Sequence, residues 1–240
     1  MLDPSYGTYH RLWSCGFVAA DTTQAKILVD ETAAQVLPAI SGETAIPGES
    51  AVRQRILMGG CRVIDGSIAS TDGTARSLVI WLGRVLSRAS DFGGTLTVTG
   101  TNAFNRATGS FITDGWRAGD TVMPFGMTTA ANNGVAGVVT TVTATVLTVT
   151  GTPYTNETMP TTARLIRVSQ RTRRAVAISS GNTDTAPPVV LMGGTQDPAS
   201  AALPDTGYSL GDIDVMIVGM AATVSALPAS VQVQAITARY

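Results

Sequence analysis

The stretch that most constrains this chain runs from Gly109 to Gly151, GSFITDGWRAGDTVMPFGMTTAANNGVAGVVTTVTATVLTVTG. From Val138 to Val149 valine, leucine and threonine alternate with the period of two that a pleated strand imposes, and β-branched side chains suit its surface. A hairpin is implied within that run, near Thr143-Ala144-Thr145. Upstream, Asp114-Gly115 and Gly119-Asp120 predict turns. Asn132-Asn133-Gly134 reads as a hairpin turn, because Asn and Gly tolerate the positive φ that two-residue hairpins require. No reactive constellation interrupts the unit, so it is expected to bind or build rather than catalyse.

The rest of the chain repeats this style with less regularity. Ile27, Leu28 and Val29 suggest a short strand, and Glu31 to Val36 a helical turn. Ser41 to Ser50 is a loop by its Gly, Pro and Ser content. Gly60 to Leu86 reads as strand, turn, strand, with the turn at Ser70-Thr71-Asp72-Gly73 and the strongest core strand from Ala75 to Leu86. Arg174 to Ile178 and Pro187 to Leu191 look like two more strands, and Ile213 to Met220 and Val231 to Ile236 supply the last pair. Short strands punctuated by Gly, Pro, Asn and Asp indicate a sandwich or barrel. The expected fold is all-β: a jelly-roll-like β-sandwich formed by residues 1–94 and 169–240, with an N-terminal arm, and a small β-barrel or β-sandwich module inserted at 95–168. Insertion at a loop tip is tolerated when the ends of the inserted unit lie close together.

Composition narrows the function classes. Charged residues make up 14% of the 240 residues, against about 25% in ordinary soluble domains. A surface so poor in charge suggests coverage by neighbouring subunits, the alternative being a monomer solubilised by hydroxyls. The formal net charge of -1 gives no field for steering toward nucleic acid or acidic lipid. Lys26 is the only lysine among 16 basic residues. Arginine suits interfacial pairs, although a GC-rich genome produces the same bias. With one histidine and no Cys-x-x-Cys, a Cys/His zinc site is excluded. Spacing does not decide whether Cys15 and Cys61 pair. The N-terminus lacks the pattern of a secretory signal, and Val215 to Val224 is shorter than the ~20 residues that span a bilayer. No membrane contact, cofactor or metal is expected.

The candidate contact residues are Tyr6, Tyr9 and Trp13, in an aromatic N-terminal arm, and Arg171, Arg173 and Arg174, in the cluster RLIRVSQRTRR with Arg164 and Arg167. The arm either lies on a neighbouring subunit or forms a strand over its own core. The arginines suit a partner surface better than nucleic acid, which calls for a basic excess or stacking aromatics. His10 has no nucleophile motif beside it. Asp65, Asp72, Asp114, Asp120, Asp184, Asp212 and Asp214 fall mostly in turn contexts. Trp81 and Trp116 are assigned to cores, and the terminal VQVQAITARY to pairing with another chain's sheet edge.

Within Gly109–Gly151, Phe111, Gly115, Trp116, Gly119, Asp120, Asn132, Asn133, Gly134 and Thr143 to Val149 resemble a β-module of virion proteins of tailed bacteriophages, tail-tube-type proteins included. The flanks are similar, more faintly, to phage head decoration or head-fibre proteins, through Ser70 to Leu82 and through Leu203 to Leu210. The resemblance implies a non-enzymatic virion component. The reading it favours is a capsid decoration or cement protein that multimerises, as a trimer, on the major capsid protein, assembled in a host cytoplasm. The alternative is a tail component, a tube or head-to-tail connector subunit. A carbohydrate-active receptor-binding protein has less support, for want of a carboxylate pair or an aromatic sugar platform.

Overall fold

Runs of Val, Ile, Leu and Thr bounded by Gly, Pro, Asn and Asp make strands. The computed structural model describes residues 10–18, 24–30, 61–70, 76–92, 96–169, 174–178, 189–190, 208–210, 214–220 and 230–238. Over them the chain forms β1 (His10–Val18), β2 (Lys26–Asp30), β3 (Cys61–Ser70), β4 (Arg76–Arg88), β5 (Leu96–Thr99), β6 (Ala103–Arg106), β7 (Thr121–Phe125) and β8 (Gly137–Val142). There follow β9 (Val146–Val149), β10 (Glu157–Thr158), β11 (Arg164–Val168), β12 (Arg174–Ile178), β13 (Val189–Val190), β14 (Tyr208–Leu210), β15 (Asp214–Met220) and β16 (Ser230–Ala238). Helix is confined, among the described residues, to two 3-10 turns at Ala89–Phe92 and Ala130–Asn132. The protein is all-β and β-sandwich-like. The expected helical turn at Glu31 to Val36 lies outside the described residues.

β4 is the spine of the larger sheet. One edge carries β15, from Asp214 opposite Arg84 to Met220 opposite Leu78. The other edge is shared: β11 covers its C-terminal half and β12 its N-terminal half, both antiparallel to it. Leu78, Val79 and Ile80 are buried in succession, as in a strand covered on both faces. Gly83 sits where β11 crosses. A Cβ there would meet Ile166 Cγ2 at 2.5 Å, and the register to β11 shifts at Leu86, which β4 carries as an extra residue opposite Leu165 and Ile166. Beyond β11 the sheet continues through β7, β8, β9, β6, β5 and β10. The chain leaves β4 at Arg88 and returns to the edge of β4 at Arg164, directly opposite. Ala89 N–H donates to Ala163 C=O at 2.8 Å across that neck.

Two cores meet on β7 and β11. Val122 and Leu165 face a cluster built from the 89–165 stretch, including Phe104, Phe111, Trp116, Leu147 and Tyr154. Their neighbours Met123 and Ile166 face a second cluster with Ala25, Val85, Val215 and Ile217, against which the half-buried Trp81 packs. All five residues of β7 are buried for this reason. Pro124 is tolerated there because β8 pairs β7 only at Thr121 and Val122. The missing N–H falls on the side that β8 has left.

The smaller sheet runs β1-β16-β3-β13, with β14 also on β3. Its Phe17 and Ile68 are fully buried, and β2 packs against β1 and β16. Several sequence expectations change here. The strands of Gly60–Leu86 and of the final pair are present, but in each case one joins each sheet: β3 and β16 the smaller, β4 and β15 the larger. The terminal VQVQAITARY is not an edge, because β16 pairs β1 on one side and β3 on the other over nearly its whole length. From His10 the N-terminal segment is a strand of the chain's own sheet.

Candidate functional site

The motif loop after β6 is built around a buried cation. Arg106 ends β6 with its side chain 2% exposed, ion-paired through NH1 to Asp114 Oδ2 at 2.6 Å. Its Nε donates to Thr108 C=O at 2.7 Å, and its guanidinium lies 4.8 Å from the Phe111 ring centre. Gly109, at φ 77°, leaves the space that this guanidinium fills, since a Cβ there would overlap Arg106. Asp114 Oδ2 also accepts from Ser87 Oγ at 2.5 Å, and Ser87 Oγ accepts from Trp116 Nε1 at 2.9 Å. A chain of charge-assisted bonds thus ties the loop to the end of β4.

Other residues of GSFITDGWRAGD have structural places as well. Phe111 and Trp116 are the buried anchors, at 0% and 2% exposure. Gly115 and Gly119 adopt φ of 96° and 91°, and Asp120 Oδ2 accepts from Arg117 N–H at 2.8 Å, closing the second turn. Ile112 is left 59% exposed. Ser87 thus joins the Asp114 carboxylate to the Trp116 indole, and the network positions the loop on the end of β4.

The Asn-Asn-Gly segment corrects the sequence reading. It lies in the long connection between β7 and β8, and Asn133 has φ -71°, so it forms no two-residue hairpin turn. Both asparagines imitate backbone instead. Asn132, fully buried, accepts from Thr155 N–H at 2.7 Å and donates to Thr155 C=O at 2.8 Å. Asn133 accepts from Met127 N–H at 2.8 Å and donates to Met127 C=O at 3.1 Å. Gly134, at φ 70°, lets its backbone meet the segment before β2: Ala25 N–H donates to Gly134 C=O at 3.1 Å. A Cβ at 134 would overlap the Ala25 carbonyl. The hairpin at 143–145 is present as expected, closed by Thr143 N–H donating to Val146 C=O at 2.8 Å.

Of the predicted contact residues, Tyr6, Tyr9, Arg171 and Arg173 lie outside the described residues. Trp13 is placed in β1 opposite Ala235, and Arg174 opens β12 opposite Ile80. Their cluster mates are committed within the chain: Arg164 to Asp30 at 2.5 Å, and Arg167 to Asp120 at 3.8 Å and to Gly115 C=O at 3.2 Å. Asp114 and Asp120 sit in turns, whereas Asp65 and Asp214 are strand residues. Asp72, Asp184 and Asp212 lie outside the described residues.

Cys15 carries a free thiol. It stands near Val233, which faces Ile68 on β3, whereas Cys61 is seven residues further along that strand. At ~3.3 Å per residue this separation is beyond disulfide reach. Burial pushes the Cys15 thiol up from 9.0 to about 11, against a smaller opposing pull from Lys26. Burial likewise raises the Tyr154 hydroxyl, which donates to Val135 C=O at 3.2 Å. Among the described residues no three His, Cys, Asp or Glu side chains gather as a metal site. No helix there is long and apolar enough to cross a membrane.

The residues that sequence reading passed over are Ser87, Arg106, Asn132 and Asn133 in their bracing roles. Arg106 followed by Gly109 was the available signal, a long cation next to a residue with no side chain. Comparison with known protein families, with characterised proteins and with solved structures gave no match to this chain.

Proposed function

We propose that this chain is a structural protein of a tailed-bacteriophage virion, a capsid decoration protein that multimerises on the major capsid protein. The observation that carries the reading is how the motif segment spends its polar groups. Arg106, Asp114, Asn132 and Asn133 are all used to hold backbone and loops in place. Such a unit is suited to building, and it agrees with the resemblance in residues 109–151 and with a chain that is 14% charged. Many modest interfaces of ~800 Å² per partner add up to a stabilised shell.

In this reading the contact strand is β1, which follows the aromatic arm and has β16 on one side and no described strand on the other. Tyr6, Tyr9, Trp13, Arg171, Arg173 and Arg174 contribute the contacts. We take the assembly to be a symmetric homo-oligomer, a trimer in this reading. We also read the larger fold as a jelly-roll-like sandwich with an inserted module. The adjacency of Arg88 and Arg164 favours insertion bounds of 89–163, close to the 95–168 expected from sequence.

The tail-tube-type character of the 109–151 segment favours a second reading, a tube or head-to-tail connector subunit. Antibody-fragment labelling of intact virions, viewed by electron microscopy, separates the two. Label spread over the head supports decoration. Label restricted to the tail or its junction rejects it in favour of the second reading, and absence from the particle rejects both.

A further inference from the structure

Arg88 closes β4 and Arg164 opens β11, and the register sets them directly opposite each other. Like charges facing across an antiparallel pair repel. Arg164 is compensated by Asp30, 2.5 Å from its NH2. Arg88 is half-buried and, among the described residues, has no ion pair and no side-chain hydrogen bond. A guanidinium stripped of part of its water without an acceptor in return costs free energy, and a bound anion removes that cost.

Arg88 lines a cleft of about 200 Å³ together with Ser90, Thr161, Thr162, Ala163 and Arg164. Its floor includes the turn Pro160 to Ala163, closed by Ala163 N–H donating to Pro160 C=O at 2.9 Å. The amides of Thr161 and Thr162, central in that turn, donate to no acceptor among the described residues. A fork-shaped cation beside turn amides and hydroxyls is the donor set that oxyanions take. Arg88 brings to the cleft one positive charge with no counter-ion among the described residues. That balance matches a monoanion, since a phosphate dianion would set a second negative charge near Asp30 without a cation to match it.

We propose that the neck cleft binds a carboxylate, with Arg88 as its principal ligand. The carboxylate arrives either on a small acid or on an acidic side chain of another protein. The site goes beyond the virion reading and does not depend on it.

The test uses the full chain and follows the Arg88 Nε–Hε resonance by NMR at constant ionic strength. The titrants are sodium acetate, inorganic phosphate, sodium chloride and the blocked peptide Gly-Ser-Glu-Ser-Gly. Saturable shifts with acetate and peptide, absent with chloride, support the site. Peptide saturating at lower concentration than acetate identifies a protein segment as the source, and equal saturation identifies a small acid. In Arg88→Gln the acetate response of the Thr161 and Thr162 amides is expected to vanish. Arg88→Lys keeps the charge but loses the planar fork, and is expected to bind acetate about tenfold more weakly. It also carries the test if the glutamine variant does not fold. Linear shifts, equal response to chloride, saturation by phosphate ahead of acetate, or unchanged binding in either variant would overturn the proposal.

Discussion

Two regions of this molecule are held together in different ways. Between Leu96 and Leu165 the partners are mostly near in sequence: β5 pairs β6, β8 pairs β9, and side chains bond the backbone of adjoining loops. In the smaller sheet, β1 pairs a strand more than two hundred residues later, in an unbroken antiparallel ladder from His10 to Val18. The first region therefore concentrates its stability in a few polar atoms and special backbone angles. The second is tied by main-chain rungs between strands far apart in sequence. Truncating the bracing polar atoms of the first should be costly, and truncating an exposed side chain of the second nearly silent.

The sharpest way to break this contrast is at the buried cation. Asp114→Ala leaves Arg106 charged and buried, with an expected loss of ~3–5 kcal/mol in guanidinium unfolding. Trp116→Ala, which empties a core position and takes the donor from Ser87, is expected to cost a similar ~3–5 kcal/mol. A loss below about 1 kcal/mol for either would remove the argument for concentrated stability.

A pair of glycines tests whether backbone angle or close approach dominates. Gly134→Ala combines a positive φ with overlap on the Ala25 carbonyl, and should cost about 3 kcal/mol. Gly115→Ala has a positive φ but open space around it, and should cost about 1–2 kcal/mol. Equal losses would mean that the contact between Gly134 and the segment before β2 carries little.

Next in size is the direct comparison of amides. Asn133→Ala strands Met127 N–H, with an expected loss of about 1–3 kcal/mol. Gln232→Ala on β16, whose side chain is exposed, should stay within about 0.5 kcal/mol. Similar values for the two would erase the distinction between the regions. The smallest effect has the opposite sign. Thr101, a β-branched residue at φ 63° in the turn between β5 and β6, is strained, and Thr101→Gly should raise the unfolding midpoint by a stability gain of about 0.5–1 kcal/mol.

The same contrast explains what was legible in the sequence. The strands β4, β8, β9 and β16 announced themselves by alternation or by apolar runs, and the 143–145 turn by its break in the pattern. Sheet membership did not, because pairing between β1 and β16, or β15 and β4, leaves no mark on either strand alone. Asn132-Asn133-Gly134 misled for a different reason. Asparagine's amide serves a tight turn and a loop brace equally well, and only the partners Thr155 and Met127 reveal which. Ser87, between Leu86 and Arg88 at the end of β4, gave no hint that it bonds both Asp114 and Trp116.

The neck between Ala89 and Ala163 also gives the protein a directional mechanics. Tension that draws Ala89 and Ala163 apart loads β4 and β11 at their paired ends, along the line of their hydrogen bonds. The rungs then yield singly, beginning at Arg88 and Arg164. Tension along the axis of β4 instead shears the rungs to β11, β12 and β15 together. The molecule is compliant to peeling at one corner and stiff to stretching along its longest strand.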